Sequence, residues 1–342
     1  PLESTVPLLE SINDTVTKSP SGVDQNLTIF VGILTTYEKI EVRESLRELY
    51  THNNDALARY LGVKKSPVTI RFILGLPEDE YKDELEEESI TYGDIVILNI
   101  EENMNEGKTF EYFKWFAKHR EDNYMHKLDD DTFLHLIHYY RDFQDLPRER
   151  VYYGNCLGDR PGSYRFMGGA GYTLSRDLVI DIAESDWVSS FIEGAEDQLV
   201  GEWICHVARE KKYFVHYVGF TDWKPLRQNP YHDFDKKLDF NSLVETIMIH
   251  RIKNIEDLNA IKDVYTEYEE GLPIVRVIRN STTENLVTKR EIIPTCWTAL
   301  ERENWNQSLQ NTYKNWFYEA WGFKEGMWYG YYGPVEDIEI TE

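Results

Sequence analysis

Three consecutive aspartates, Asp129, Asp130 and Asp131, follow the strand-like run at residues 124–128 and precede a run with helical spacing at 132–138. A strand that ends in clustered carboxylates places them at the carboxyl edge of a sheet, where open α/β folds bind ligands. Because three adjacent negative charges repel one another, a cation is expected beside them. A divalent metal together with a diphosphate group meets that requirement. The alternative is an acidic strand-to-helix turn in which one aspartate caps the helix.

The chain from residue 27 onward alternates between strand-like and helix-like runs. Buried-strand patterns occupy residues 27–34, 68–74, 94–100 and 124–128, and helical spacing occupies 41–61, 78–89 and 108–119. Strands separated by helices imply right-handed crossovers and a mainly parallel sheet covered by helices on both faces. We therefore predict an α/β fold. The sequence contains no GxGxxG or Walker lysine loop, so neither a dinucleotide fingerprint nor a P-loop accounts for the sheet.

The pattern continues less regularly beyond residue 150. It comprises a strand-like run at 151–154, a glycine-rich run at 168–175, a helical run at 176–184, and a long helical run that residues 193–198 open and that continues through 209. Residues 273–293 have the pattern of a hairpin, and an aromatic tail follows them. We expect a flexible lead-in at 1–26, one main domain at 27–268 and an aromatic-rich C-terminal extension at 269–342. Packing as a satellite core is the favoured role for the tail aromatics, and stacking on sugar rings is the alternative.

Composition excludes two classes of partner. The 342 residues include 61 Asp plus Glu against 37 Lys plus Arg, which gives a net charge of −24. Nucleic acids and anionic membranes are bound by clustered Lys and Arg, so neither is an expected partner. No window approaches the roughly 18 uninterrupted apolar residues of a membrane span. The chain begins at Pro1 without a methionine, so any membrane anchor is expected in a removed upstream segment.

Cysteine and glycosylation patterns bear on the compartment. The sequence has three cysteines, Cys156, Cys205 and Cys296. Three cysteines allow at most one disulfide and one free thiol. Four sequons favour a secretory lumen without proving it: Asn13, Asn26, Asn280 and Asn306.

Seven short motifs occur in the order found in glycosyltransferase family 31, the inverting β-1,3-galactosyl-, N-acetylglucosaminyl- and Fringe-type enzymes. They are VRESLR at 42–47, FILG at 72–75, YGDI at 92–95, HKLDDD at 126–131, GGAGYTLS at 168–175, AEDQLVG at 195–201 and IMIH at 247–250. The chain resembles this family across roughly residues 27–265. It departs from the family pattern at Met167, where cysteine is common, and at Asn99, where aspartate is usual. The tail from 270 has no counterpart that we can place.

The resemblance implies a fold, a reaction and a compartment. The fold would be a GT-A type, Rossmann-like twisted sheet, with residues 27–268 as the catalytic domain. The reaction would be transfer of a sugar from a UDP-sugar onto a glycan acceptor in β-1,3 linkage, with UDP-galactose as the favoured donor. The metal cofactor would be Mn²⁺ or Mg²⁺. The compartment would be the Golgi lumen, reached as a type II membrane protein. Three rivals remain: a UDP-N-acetylglucosamine-dependent transferase, a catalytically silent sugar-binding module and a metal-dependent phosphohydrolase.

The resemblance also implies roles for individual residues. Asp131 and His250 would ligate the metal, with His216 as the reserve candidate. Asp129 and Asp130 would hold the ribose or orient waters on the metal. These roles place the metal site at the predicted edge of the sheet.

Asp197 would be the catalytic base that takes the proton of the acceptor hydroxyl. The neighbouring Glu196 would either raise the pKa of Asp197 or remain a helix-start charge facing away, and the second role is favoured.

The remaining candidates would contact the donor. Gly168 and Gly169 would let the backbone approach the sugar, with a tight turn entering a strand as the structural alternative. Arg43 and Lys127 would contact the diphosphate or uracil. Arg43 and Arg47 share a helical face, so pairing with neighbouring glutamates is an equal alternative. Lys108 is a further candidate for a phosphate contact, but a solvated surface role is favoured for it.

Overall fold

The computed structural model describes residues 26–144, 146–157, 166–220, 230–236, 243 and 246–271. The predicted hairpin and aromatic tail lie outside these ranges, as does nearly all of the predicted lead-in. The division into three segments therefore stays a prediction.

The first half of the chain forms four parallel strands and the helices between them. They are β1 (Ile29–Leu34), α1 (Ile40–Leu61), β2 (Val68–Leu76), α2 (Lys82–Tyr92), β3 (Ile95–Glu101), α3 (Lys108–His119) and β4 (Tyr124–Asp129). Each element lies where the hydrophobic pattern predicts it, and its first and last residues differ from the predicted ones by no more than four positions. The four strands are mutually parallel in the order β3-β2-β1-β4. The predicted parallel sheet is confirmed.

The second half extends this sheet and adds a small one. Its elements are β5 (Phe133–Leu134), α4 (Leu136–Phe143), β6 (Val151–Leu157), β7 (Phe166–Ser175), α5 (Arg176–Ala183), α6 (Asp186–Ser189), α7 (Glu196–Lys211), β8 (His216–Gly219), β9 (Tyr231–Asp233), β10 (Met248–His250) and α8 (Ile255–Gly271). The large sheet has the order β3-β2-β1-β4-β7-β6-β8, in which β7 runs antiparallel to both neighbours. Strands β5, β10 and β9 form the second sheet.

Two hydrophobic clusters cover the two faces of the large sheet. On one face, side chains of α1, α4 and α8 pack on Val31 and Ile33 of β1. On the other, α3, α5 and α7 pack around Phe30, with Trp203 of α7 fully buried. Alternate residues of β1 therefore face opposite layers, as the predicted three-layer fold requires. None of the helices in the described ranges combines the length and the apolar character needed to cross a bilayer.

Two local predictions are wrong. The run at 132–138 begins as strand β5 rather than as a helix, because Phe133 and Leu134 pair with Ile249 and Met248 of β10. Helix α4 begins only at Leu136. The second correction concerns the glycine-rich run, which is the interior of strand β7 and not a turn that precedes a strand.

The cysteine pattern agrees with the limit set by the sequence. Cys156 is a free thiol and Cys205 is disulfide-bonded. Cys296 lies outside the described residues.

Arg43 lies in the interior, where it fixes the loop that follows β1. Its guanidinium is fully buried and bonds both carboxylate oxygens of Glu88, at 2.9 and 2.6 Å, and two backbone carbonyls of that loop. Arg47 contacts the same Glu88 at 2.7 Å and Asp94 at 2.8 Å. The structure thus favours the pairing alternative for both arginines, with partners on α2 and at the start of β3 rather than on α1. Arg43 positions the loop that follows β1, and its guanidinium is held by Glu88 and by the carbonyls of that loop.

We expect Glu88→Gln to destabilise the fold by roughly 3–5 kcal/mol, the usual loss when one partner of a buried ion pair is removed. The change leaves the buried guanidinium of Arg43 without a counter-charge. Glu111→Gln is the control, because Glu111 pairs with Lys114 at the surface, where such pairs contribute about 0–1 kcal/mol. Urea unfolding of both variants checks this, and equal losses would contradict the assigned role.

Candidate active site

The three aspartates lie at the carboxyl end of β4, as predicted. Asp129 ends the strand and pairs in register with Leu34, the last residue of β1. Asp130 and Asp131 continue beyond the edge, before the short strand β5 begins at Phe133. The carboxylates therefore stand where two parallel strands of the large sheet end.

Helix α7 begins beside this edge because Gly169 allows it to approach β7. The backbone N–H of Gly169 donates to Oδ2 of Asp197 at 3.1 Å. A Cβ atom on Gly169 would lie only 3.1 Å from Oε1 of Glu196 and 3.5 Å from Oδ2 of Asp197. A side chain here would push the first turn of α7 away. The Cβ direction of Gly168 points instead toward Leu157 of β6, at 3.3 Å, so the two glycines have different surroundings.

The ammonium group of Lys127 joins β4, β7 and α7. It donates to the carbonyl of Gly169, to Oε1 of Glu196 at 2.6 Å and to Oδ1 of Asp129 at 2.7 Å. Burial alone would lower the pKa of Lys127, but the two carboxylates outweigh burial and raise it. An ammonium group has three donors, and all three have acceptors here. The expectation that Lys127 contacts the diphosphate is therefore not supported by its geometry.

Glu196 faces the sheet and not the solvent. Its second carboxylate oxygen accepts a hydrogen bond from the hydroxyl of Tyr172 at 2.7 Å. The expectation that Glu196 is merely a helix-start charge facing away is wrong, because β7 and Lys127 hold both of its oxygens. Its charge acts on Asp197 beside it.

Asp197 carries a carboxyl group whose ionisation is shifted toward neutral pH. Burial raises its pKa to about 7, and the neighbouring charge of Glu196 adds to the rise. Lys127 and the backbone N–H groups of Gln198 and Gly169 oppose the shift, the first of these N–H groups at 2.8 Å from Oδ1. A base with this pKa is half ionised near neutral pH, which suits proton transfer.

His250 approaches Asp131 from strand β10 of the small sheet. Its Nε2 atom lies 3.6 Å from Oδ1 of Asp131. On the other side of the ring, Nδ1 lies 3.2 Å from the hydroxyl of Tyr231 and 3.4 Å from Oδ1 of Asp233. These two groups orient the imidazole and leave Nε2 facing Asp131, the arrangement common behind metal-ligating histidines. Burial lowers the pKa of His250, which favours the neutral imidazole that a metal requires.

The pair Asp131 and His250 fits two positions of a divalent cation. Bonds of roughly 2.0–2.2 Å from carboxylate oxygen and imidazole nitrogen to one ion are compatible with such a separation. Within the ranges described, no group of three or more His, Cys, Asp or Glu could hold a metal. Further ligands would have to come from phosphate oxygens or water, as is usual for nucleotide sites.

His216, the reserve ligand, lies at the opposite edge. It begins β8 and pairs in register with Val151, the first residue of β6. Since β8 and β6 run in the direction of β4, their first residues lie at the amino edge of the sheet. The structure therefore does not bring His216 to the aspartates.

Two lysines that sequence reasoning missed pair with the other aspartates. Lys39 contacts both oxygens of Asp130 at 2.9 Å, and Lys253 contacts Oδ2 of Asp131. Their side chains are 46% and 64% exposed, respectively. The available signal was weak, because Lys39 merely precedes a helix and Lys253 follows His250 by three positions.

Lys108 is not the solvated surface residue that was expected. It is buried and donates to the carbonyl of Thr35 at 2.7 Å and to Glu102. Burial lowers the pKa of its ammonium group, and Glu102 partly restores it. Lys108 therefore fixes the end of β1 to the start of α3.

We expect Glu196→Gln to lower the pKa of Asp197, because removing a neighbouring negative charge makes ionisation easier. Carbon-detected NMR titration of selectively labelled aspartate carboxyls measures this shift. Glu193→Gln, a change at an exposed residue three positions earlier, serves as the control and should leave the pKa of Asp197 unchanged. An unchanged midpoint in the Glu196 variant would show that burial alone sets the pKa.

Residues 41–163 match the sequence model of the family described as Galactosyltransferase. A segment of 96 residues is 35% identical to the beta-1,3-galactosyltransferase pvg3 of Schizosaccharomyces pombe, covering 28% of this chain and 24% of that protein. This chain thus spans about a quarter of the length of the curated relative.

Two of the solved structures that match this chain are glycosyltransferases. The bifunctional glycosyltransferase WbbM has a TM-score of 0.40 at 10% identity, over 76% of this chain and 51% of that one. The galactosyltransferase LgtC, in complex with donor and acceptor sugar analogs, has a TM-score of 0.38 at 8% identity, over 71% and 96%. The sequence matches carry the comparison: they confirm the resemblance predicted from the motifs, and residues 41–163 are similar to the galactosyltransferase family.

Proposed function

We propose that this chain is an inverting, metal-dependent glycosyltransferase that moves galactose from UDP-galactose in β-1,3 linkage onto a glycan acceptor. The galactosyltransferase-family match over residues 41–163 and the printed name of the yeast relative support the reaction class, donor and linkage. The observation that carries the mechanism is the position of the Asp197 carboxylate, which accepts the backbone N–H of Gly169 at 3.1 Å beside the aspartate edge. Burial also raises the pKa of this carboxyl group, which suits a base.

In the proposed reaction, Asp197 accepts the proton of the acceptor hydroxyl as that oxygen attacks the anomeric carbon of the donor. The bond between this carbon and the diphosphate oxygen breaks as the new glycosidic bond forms. A single displacement inverts the anomeric centre and requires no covalent enzyme intermediate. Lys127 keeps Glu196 and the backbone of Gly169 in place, so the base is held by fixed groups.

Asp131 and His250 would hold Mn²⁺ or Mg²⁺, with Asp129 and Asp130 near the ribose. The ion would supply positive charge to the departing diphosphate. Tyr231 and Asp233 orient His250 for this role.

The proposed compartment is the Golgi lumen, with attachment through a type II anchor upstream of residue 1. The galactosyltransferase family is typically resident there, and the four sequons agree with a secretory lumen. The acidic net charge of −24 speaks against nucleic acid as a partner.

A donor comparison tests the function as a whole. UDP-galactose, UDP-N-acetylglucosamine and UDP-glucose are offered with Mn²⁺ and a panel of β-galactoside and xyloside acceptors. UDP release is measured, and product linkage is read by NMR. We expect UDP-galactose to be preferred and the product to be a β-1,3 galactoside. Preference for UDP-N-acetylglucosamine would reassign the donor, and an α-linked product would refute the single displacement.

We expect Asp197→Asn to reduce the rate of transfer by about 10²- to 10⁴-fold, the usual contribution of general acid–base catalysis. Binding of the donor and metal should remain close to wild type, because the change leaves Asp131 and His250 intact. Single-turnover kinetics and equilibrium binding separate the two effects. Full activity in this variant would exclude Asp197 as the base.

We expect Asp131→Ala to abolish metal-dependent UDP binding, because the variant lacks the proposed carboxylate ligand. His250→Ala should weaken Mn²⁺ binding by at least about 10- to 100-fold, the range seen for losses around metal ligands. His216→Ala is the matched control at the opposite edge and should bind normally. A Mn²⁺ titration followed by electron paramagnetic resonance ranks the three variants, and a larger effect at His216 would overturn the ligand assignment.

A further inference from the structure

The cations predicted to meet the donor diphosphate are all occupied elsewhere. Arg43 is fully buried against Glu88, Lys127 donates to three protein acceptors, and Lys108 is buried against Glu102. A departing diphosphate nevertheless needs positive charge or hydrogen-bond donors. Besides the charge that the proposed metal ion would supply, hydrogen-bond donors to the diphosphate would therefore come from other cations along the edge.

Lys39 and Lys253 differ from these buried cations in exposure and in number of partners. Each contacts one carboxylate of the aspartate triplet, namely Asp130 and Asp131. Their side chains keep 46% and 64% of their surface in solvent, against 3% for Lys127. Lys39 comes from the residue before α1, and Lys253 comes from the segment after β10. The two ammonium groups therefore reach the same carboxylate pair from different parts of the fold.

We propose that Lys39 and Lys253 bind the diphosphate group of the nucleotide donor by moving from the aspartates with which they pair in the free protein. This inference rests on the proposed function, since it assigns residues to the donor of that reaction. In the free protein the two lysines neutralise Asp130 and Asp131. Donor binding gives the same ammonium groups a more highly charged partner.

The exchange requires little reorganisation. The lysine side chains lie largely in solvent, whereas the side chains of Asp130 and Asp131 are 10% and 23% exposed. Water can therefore solvate each ammonium group as it leaves its aspartate. A lysine has a flexible four-carbon stem, and its ammonium group can turn through several ångströms without moving the backbone. When Asp131 ligates a divalent cation, that cation replaces Lys253 as the partner of the Asp131 carboxylate. The ammonium group of Lys253 is then released. Lys253 follows His250 by only three residues, so its ammonium group stays close to the cation that His250 would ligate and to the phosphates of the donor.

Calorimetry on the whole chain tests the assignment with UDP in the presence of Mn²⁺, and with uridine as the phosphate-free probe. Lys39→Met and Lys253→Met keep the aliphatic stem and remove the charge. We expect each to weaken UDP binding by about 10- to 100-fold, the effect of losing a charge-assisted hydrogen bond to phosphate. Uridine binding should not change. Lys114→Met is the control, because that lysine has a similar 47% exposure but pairs with Glu111 on α3.

Binding of Mn²⁺ alone gives the second readout. Removing Lys253 frees Asp131, so Mn²⁺ should bind as well as in wild type or more tightly while UDP binds less well. Unchanged UDP affinity in both variants would overturn the proposal. Tighter UDP binding that follows tighter Mn²⁺ binding would also overturn it, because the lysine would then merely screen the carboxylate.

If wild type itself fails to bind UDP, the proposed function falls as well. If wild type binds UDP normally and the variants do too, only the lysine assignment falls.

Discussion

The ammonium group of Lys127 is a buried charge that touches β4, β7 and the first turn of α7 together. Its contacts to Asp129, Gly169 and Glu196 fix the strand that carries the aspartates relative to the helix that carries Asp197. Removing that charge would leave the carboxylates of Asp129 and Glu196 without the cation that both of them contact, so that two like charges would repel each other. The distance between the proposed metal site and the proposed base therefore depends on this residue. The same contacts occupy all three donors of the Lys127 ammonium group. Cations other than Lys127 would therefore bind the diphosphate of the donor.

Most of the fold could be predicted from the sequence because its signals are local. The run at 68–74 is apolar enough to require burial as a strand, and the spacing of Leu46, Leu49 and Leu57 requires one helical face against the sheet. The error at the run 132–138, by contrast, has a non-local origin. Phe133 and Leu134 precede a helical pattern, and only their pairing with a strand more than 100 residues later makes them β5. Hydrophobic spacing carries no information about such a distant partner.

The site was partly predictable for the same reason. Clustered carboxylates and family-like motifs identified Asp131, Asp197 and His250, and the structure places His250 beside Asp131. The environment of each charged residue could not be derived, because burial depends on what packs over it. Sequence alone placed Lys108 at the surface and turned Glu196 outward, whereas both are held by groups from other elements. Lys39 and Lys253 were missed, since they join the aspartates from about 90 and 120 positions away in the chain.

The most direct measurement of the central claim is a crystal structure of the protein with Mn²⁺ and UDP, recorded at a wavelength where manganese scatters anomalously. The account predicts an anomalous peak between Asp131 and His250. It also predicts diphosphate oxygens beside that peak and within hydrogen-bond distance of Lys253 and Lys39, with both lysines turned away from their aspartates. A nucleotide bound away from the carboxyl end of β4, or manganese ligated by other residues, would contradict it.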